Sequence, residues 1–215
     1  MQTRSGRIVV LSLLACMLAT GVLQARAGRL KLDKGLLDPS WFGPDVEFRT
    51  TDEIDYLWVR PGFTVRGHKL HVDKWSDPAF LREDRDPKDS AKASELTEVM
   101  PSRLRGALAA SLTGVAEASR EEGDIVVTGR IVDCNAGSRA AKIWVGMGAG
   151  AGSITFDVKM TDKASGELLA AIHHRVISGT ALSEIDDKVA KWLEKFGEAL
   201  KGDLAVVASG KPARK

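Results

Sequence analysis

The residues best able to do chemistry in this 215-residue chain are a glycine run, four histidines, scattered aspartates and two cysteines. The run Gly146-Met147-Gly148-Ala149-Gly150-Ala151-Gly152 invites a phosphate cradle. Such cradles place their glycines after a strand and before a helix, whose N-terminal amides and dipole receive the anion. Here an alternating segment, Ser153 to Met160, follows instead, and no Lys-Ser/Thr pair closes the run. Two readings of the run remain. In one, Ile143 to Phe156 is a long bent strand whose glycines permit a bulge or the close approach of another backbone. In the other, Trp144-Val145-Gly146-Met147-Gly148-Ala149, extended by Gly150 and Gly152, is an exposed apolar ribbon that packs on a partner or a membrane surface.

The histidines do not assemble a site. His173 and His174 are adjacent in a predicted strand, so they point to opposite faces and cannot grip one metal ion together. His68, His71 and Asp73 could form an adventitious cluster, but closed zinc sites recruit four well-placed ligands and no cysteine pair is present. No metal or other cofactor is expected. Asp186-Asp187 falls in the first turn of a predicted helix, where acids favour the dipole. Asp133 and Asp162 flank predicted turns, where aspartate accepts backbone hydrogen bonds. Cys134 reads as a small buried side chain. No G-x-S-x-G elbow, H-E-x-x-H helix or Cys/His signature occurs, so no catalytic residue is assigned and a non-enzymatic protein is expected.

The first residues address the compartment. Arg4 and Arg7 precede an apolar run from Ile8 to Leu23, then Ala25-Arg26-Ala27. This is a secretory signal with cleavage expected after Ala27. The run is too short and too interrupted, by Ser12, Thr20 and Gly21, for a spanning helix. Cys16, after Leu13-Leu14-Ala15, offers the alternative of lipid attachment at an outer membrane; cleavage at Ala27 implies a periplasmic protein. Removing Arg4, Arg7 and Arg26 takes the formal charge from +2 to near −1, and no basic stripe interleaved with aromatics remains. Nucleic acid is therefore not an expected partner.

The elements that would position these residues read as β-β-α-β-β-β-α. Residues 28–53, with Pro39, Trp41, Phe42 and Pro44, form an irregular arm whose aromatics pack onto the domain. Tyr56–Val59 and Thr64–Val72 are extended around the turn Pro61-Gly62. Ser76–Lys88 is a solvated linker. Ser90–Arg120 carries an apolar stripe, Leu96, Met100, Leu104, Leu108, Leu112 and Val115, on a helix that Pro101 kinks or divides. Ile125–Val132 is a β-branched strand. Ile154, Phe156, Val158 and Met160 alternate with polar residues, as in a sheet with one buried face, and turn through Asp162–Glu167 into a partner strand, Leu168–Ile177. Ile185, Val189, Trp192, Leu193, Phe196 and Leu200 stripe a last helix from Ser183 to Lys201. Residues 203–215 form a tail. One α+β domain over 54–202 is expected, its mainly antiparallel sheet carrying both helices on one face.

The sequence Asp133-Cys134-Asn135-Ala136-Gly137-Ser138-Arg139-Ala140-Ala141-Lys142, then Gly146 to Gly150, Phe156-Asp157-Val158 and Asp162 to Ala170, resembles the bacterial envelope family of domain of unknown function 4410, DUF4410. The resemblance spans roughly Ile54 to Leu200. Many members of that family are assigned as lipoproteins, which implies an exported domain that scaffolds or assembles on envelope machinery. It carries over no catalytic residues. Two functions stay open. One is an interaction or scaffold protein that binds an envelope partner, or another copy of itself, through a sheet edge and the glycine ribbon. The other is a domain that binds or hydrolyses a small molecule or envelope polymer, in a helix–sheet pocket lined by His174, Asp157 or Arg139.

Overall fold

Six strands form one mixed sheet: β1 Tyr56–Val59, β2 Lys69–Val72, β3 Glu117–Ser119, β4 Ile125–Asn135, β5 Ser153–Asp162 and β6 Leu168–Ile177. In space they run β1-β6-β5-β4-β2-β3. The β1, β6, β5 and β4 neighbours are antiparallel, whereas β2 lies parallel to both β3 and β4. Two helices, α1 Pro87–Ser111 and α2 Ile185–Lys201, complete the domain. The computed structural model describes residues 36–51, 54–81, 86–137, 151–178, 185–202 and 204.

The α+β architecture is the one expected. Asp86 caps α1 by accepting from the Lys88 amide at 3.0 Å, and Pro87 supplies the preset φ of the first turn. Ala93, Leu96, Met100, Leu104 and Leu108 bury one face of α1, and the six stripe residues of α2 are all buried. These residues and the inward side chains Leu57, Leu70, Val127, Ile131, Phe156, Val158 and Ile172 form the main core. Gly197 of α2 makes the helix contact close: a Cβ there would lie 2.5 Å from Ser111 Oγ of α1. Asp186 joins the same helices, accepting from Lys92 at 2.8 Å and Arg103 at 2.9 Å. Burial works to raise its pKa, but these two cations outweigh that and hold it below the ordinary value.

Four expectations need correction. Of the two alternatives at Pro101, division does not occur, since Pro101 lies within one helix, and α1 ends at Ser111, not Arg120. Gly114 takes φ +75° after its end, and the Val115 carbonyl accepts from the Gly67 amide, which brings the chain back beside β2 as the additional strand β3. Thr64–His68 is not strand, since Gly67 takes φ +80°. The first part of the presumed linker is not free either: Ser76, Ala79 and Leu81 amides donate to Gly129, Ile131 and Val132 carbonyls, and Trp75 is buried. Finally, Asp133-Cys134-Asn135 continues β4. A register shift between Ile131 and Asp133 leaves Val132 without a cross-strand partner, which turns Cys134 into the core and Asp133 to the opposite face.

Candidate functional site

Alternation along β4, β5 and β6 sends Arg130, Asp157 and His173 to the face away from the helices, in register across three strands. Sequence patterning predicts a solvent-exposed face here. Instead Asp157 and His173 are fully buried and Arg130 nearly so, because the arm covers them. Within the arm, Asp38 caps the short 3₁₀ turn Pro39–Trp41, and Trp41, Phe42, Phe48, Tyr56 and His173 make a chain of edge-on ring contacts.

Charge organises the layer beneath. Arg130 Nε donates to Asp157 Oδ2 at 2.8 Å, and His173 Nδ1 lies 2.6 Å from Asp157 Oδ1. A guanidinium terminal nitrogen of Arg130 donates to Asp38 Oδ2 at 3.2 Å, and the guanidinium also lies over the Trp41 ring, 4.6 Å from its centroid. Lys159 Nζ lies 4.3 Å from the same centroid. The Ser40 hydroxyl first, and then Arg130, hold the Asp38 carboxyl below its usual range despite partial burial. Burial, reinforced by Arg130, lowers the Lys159 pKa. Both Asp157 oxygens are occupied, so this arrangement ties three strands to the arm.

His174, on the other face as its neighbour's orientation demands, stacks on Trp192 at 4.8 Å and 16°. Its Nδ1 lies 3.1 Å from Asp55 Oδ2. Burial works to raise the Asp55 pKa, while His174 and the Arg175 amide together lower it below the ordinary value. His174 and Asp157 therefore line no common pocket: Phe156, Trp192 and Phe196 pack on the helix side of the sheet. Arg139 lies outside the described residues. His68 Nδ1 pairs with Asp124 at 2.5 Å, and His71 Nε2 is 3.9 Å from Asp73. Among the described residues no group of three His, Cys, Asp or Glu stands where it could hold a metal ion. The Cys134 side chain is buried, 3% exposed.

Of the glycine segment, Trp144, Val145, Gly146, Met147, Gly148 and Gly150 lie outside the described residues, as do Ala27 and Cys16. Gly152 is described, and it is no free edge. Its amide donates to Ser178 Oγ and its carbonyl accepts from the Ser178 amide, both at 2.9 Å. β5 is a central strand paired on both sides, and the sheet edges are β1 and β3. At the other end of the connection, Gly137 takes φ +75° and Asp89 of α1 accepts the Ala136 amide at 2.8 Å.

Arg130, Asp38 and Trp41 were not legible as a cluster in the sequence. The available signal was an arginine and an aspartate at solvent-face positions of two predicted strands, Arg130 and Asp157.

The sequence matches the family described as Domain of unknown function (DUF4410) over residues 59–181, more than half of the chain. The chain belongs to the DUF4410 family. No curated protein matches it. Solved structures that resemble it include the PelC dodecamer from Paraburkholderia phytofirmans, at 11% identity and TM-score 0.43, covering 67% of this chain and 94% of that one. Another is protein XCC0632 from Xanthomonas campestris, of the DUF330 family, at 16% identity and TM-score 0.42, covering 71% and 91%.

Proposed function

We propose that this DUF4410 protein is a non-enzymatic interaction domain of the bacterial envelope, and that the segment between β4 and β5 is its contact element. One observation carries this reading. Asn135 and Ser153 are cross-strand partners, yet residues 136–152 run between them. Adjacent antiparallel strands close with about 2–5 residues. The excess is glycine-rich and apolar around Trp144 and Met147, holds the cations Arg139 and Lys142, and includes no acid. Its base is held by Asp89 on one side and Ser178 on the other. The partner is another envelope protein or a second copy of the chain.

Export by residues 1–27 belongs to the same proposal, with lipid attachment at Cys16 as the alternative. The mass of the native N-terminus distinguishes a start at Gly28 from an acylated Cys16. For the contact element, Gly148→Val together with Gly150→Val is expected to abolish the native assembly isolated from envelopes, with the thermal midpoint of the protein unchanged. Assembly that survives both substitutions refutes the reading.

A further inference from the structure

The two faces of the sheet are built from different chemistry. The helix face is mainly apolar, and exposing Phe156, Val158 and Ile172 to water would forfeit their burial. The arm face carries Arg130, Asp157, His173 and Lys159. Its central contacts, Arg130 to Asp157 and Asp157 to His173, lie wholly within β4, β5 and β6. Removing the arm leaves those charges paired and returns them to water. Opening such a cover keeps these pairs intact and exposes Leu36 and Phe42 of the arm itself, whereas opening a cover over the helix face would expose the main core.

The arm is held in keeping with this. A polar attachment to the sheet face runs through Arg130, which pairs with Asp38 and lies against the Trp41 ring, as does Lys159. Beside β1 it is bridged at Arg49, where the Arg49 and Leu57 amides donate to each other's carbonyls at 2.8 and 2.7 Å. A carboxylate at position 38 and an indole three residues later thus meet two cations on the sheet, one of them otherwise committed to Asp157.

We propose that residues 36–49 are a releasable strap, and that the Arg130–Lys159 face beneath it binds a peptide segment of the strap's own chemistry, a carboxylate followed three residues on by an aromatic ring. The occupant in the closed state is the strap itself. In the open state it is the same segment of a second copy of the chain, since a face complementary to this segment within one chain is complementary to it between chains. This surface is separate from residues 136–152, so neither proposal depends on the other.

The test uses the whole mature chain and a labelled synthetic peptide of residues 36–49. By hydrogen exchange, the Arg49 amide of the wild-type protein should exchange at least tenfold faster than the Asp157 amide in β5. Asp38→Asn should accelerate Arg49 exchange about threefold further, and Asp157 exchange by no more than that. In fluorescence polarisation, the peptide should bind the Asp38→Asn protein about threefold more tightly than the wild type, and peptide carrying Trp41→Ala should not bind. Trp41→Leu in the protein provides a second loosened strap with the same expected readouts. Arg49 and Asp157 amides exchanging at one common rate would overturn the strap. Absence of peptide binding to both loosened variants would overturn the docking face.

Discussion

Replacing Arg130 by Met tests the ionic layer at its centre. The substitution keeps most of the aliphatic packing beneath Trp41 and deletes the cation between Asp157 and Asp38. Arg130 Nε is 2.8 Å from an Asp157 carboxylate that is fully buried, so that contact cannot be replaced by solvent. Removing one partner of a buried pair costs about 3–5 kcal/mol. Asp157 retains His173 at 2.6 Å, which puts the expected loss at the lower end, about 3 kcal/mol. For a domain of this size that is a fall in melting temperature of roughly 6–12 °C. Asp38→Asn is the internal comparison: the Asp38 side chain is 31% exposed, so its pairing with Arg130 is partly screened and should contribute less than about 1 kcal/mol. Urea unfolding of both variants, followed by far-UV circular dichroism, measures the difference. Equal losses for Arg130→Met and Asp38→Asn, or a loss below about 1 kcal/mol for Arg130→Met, would refute the assignment of the buried pair as the structural centre of this face.

Other substitutions probe the packing that surrounds it. A Cβ at Gly129 would lie 2.7 Å from the Asp157 carbonyl oxygen and 2.7 Å from the Trp75 ring, so Gly129→Ala should destabilise by about 2 kcal/mol in thermal unfolding. Gly197→Ala pits helix propensity, a gain of about 1 kcal/mol, against a Cβ 2.5 Å from Ser111 Oγ. Net destabilisation is expected, and Ser111→Gly in the same chain should reverse it in a double-mutant cycle. Asp186 and Asp55 have depressed folded-state pKa values, so their contributions are present above the ordinary aspartate value and are lost as pH falls through the folded values. Lys92→Met should flatten that acid limb in a stability–pH profile, and an unchanged slope would count against the Lys92–Asp186 contact.

The parts of this fold that repeat with a clean period could be read directly. The six α2 stripe residues and the β5–β6 hairpin obey local rules, including the Asp162 side chain that accepts from the Ala164 and Ser165 amides at its turn. The errors arose where one local rule overlaid another. Val115 continues the α1 stripe past the true end of the helix, which hid β3. The extra residue at Val132 broke the alternation, so the end of β4 looked like a turn. Above all, the burial of Asp157 depends on Trp41 and Asp38, more than a hundred residues away in the chain, and no window of neighbouring residues records that. His173 and His174 illustrate both sides: their opposite orientations follow from strand geometry, while their partners, Asp157 and Asp55, do not.

The strand order also sets a timetable for the growing chain. β4, β5 and β6 are joined in succession and can pair as each appears, but β1 waits for β6, with Tyr56 opposite His173. At a synthesis rate of about 5–20 residues per second, the intervening chain takes on the order of ten seconds to appear. Throughout that interval β1 and the aromatic arm before it have no sheet to join. The first described segments to leave the ribosome are therefore among the last to find their places, and the aromatic side chains Trp41, Phe42, Phe48 and Tyr56 are the surface that a holding chaperone would meet.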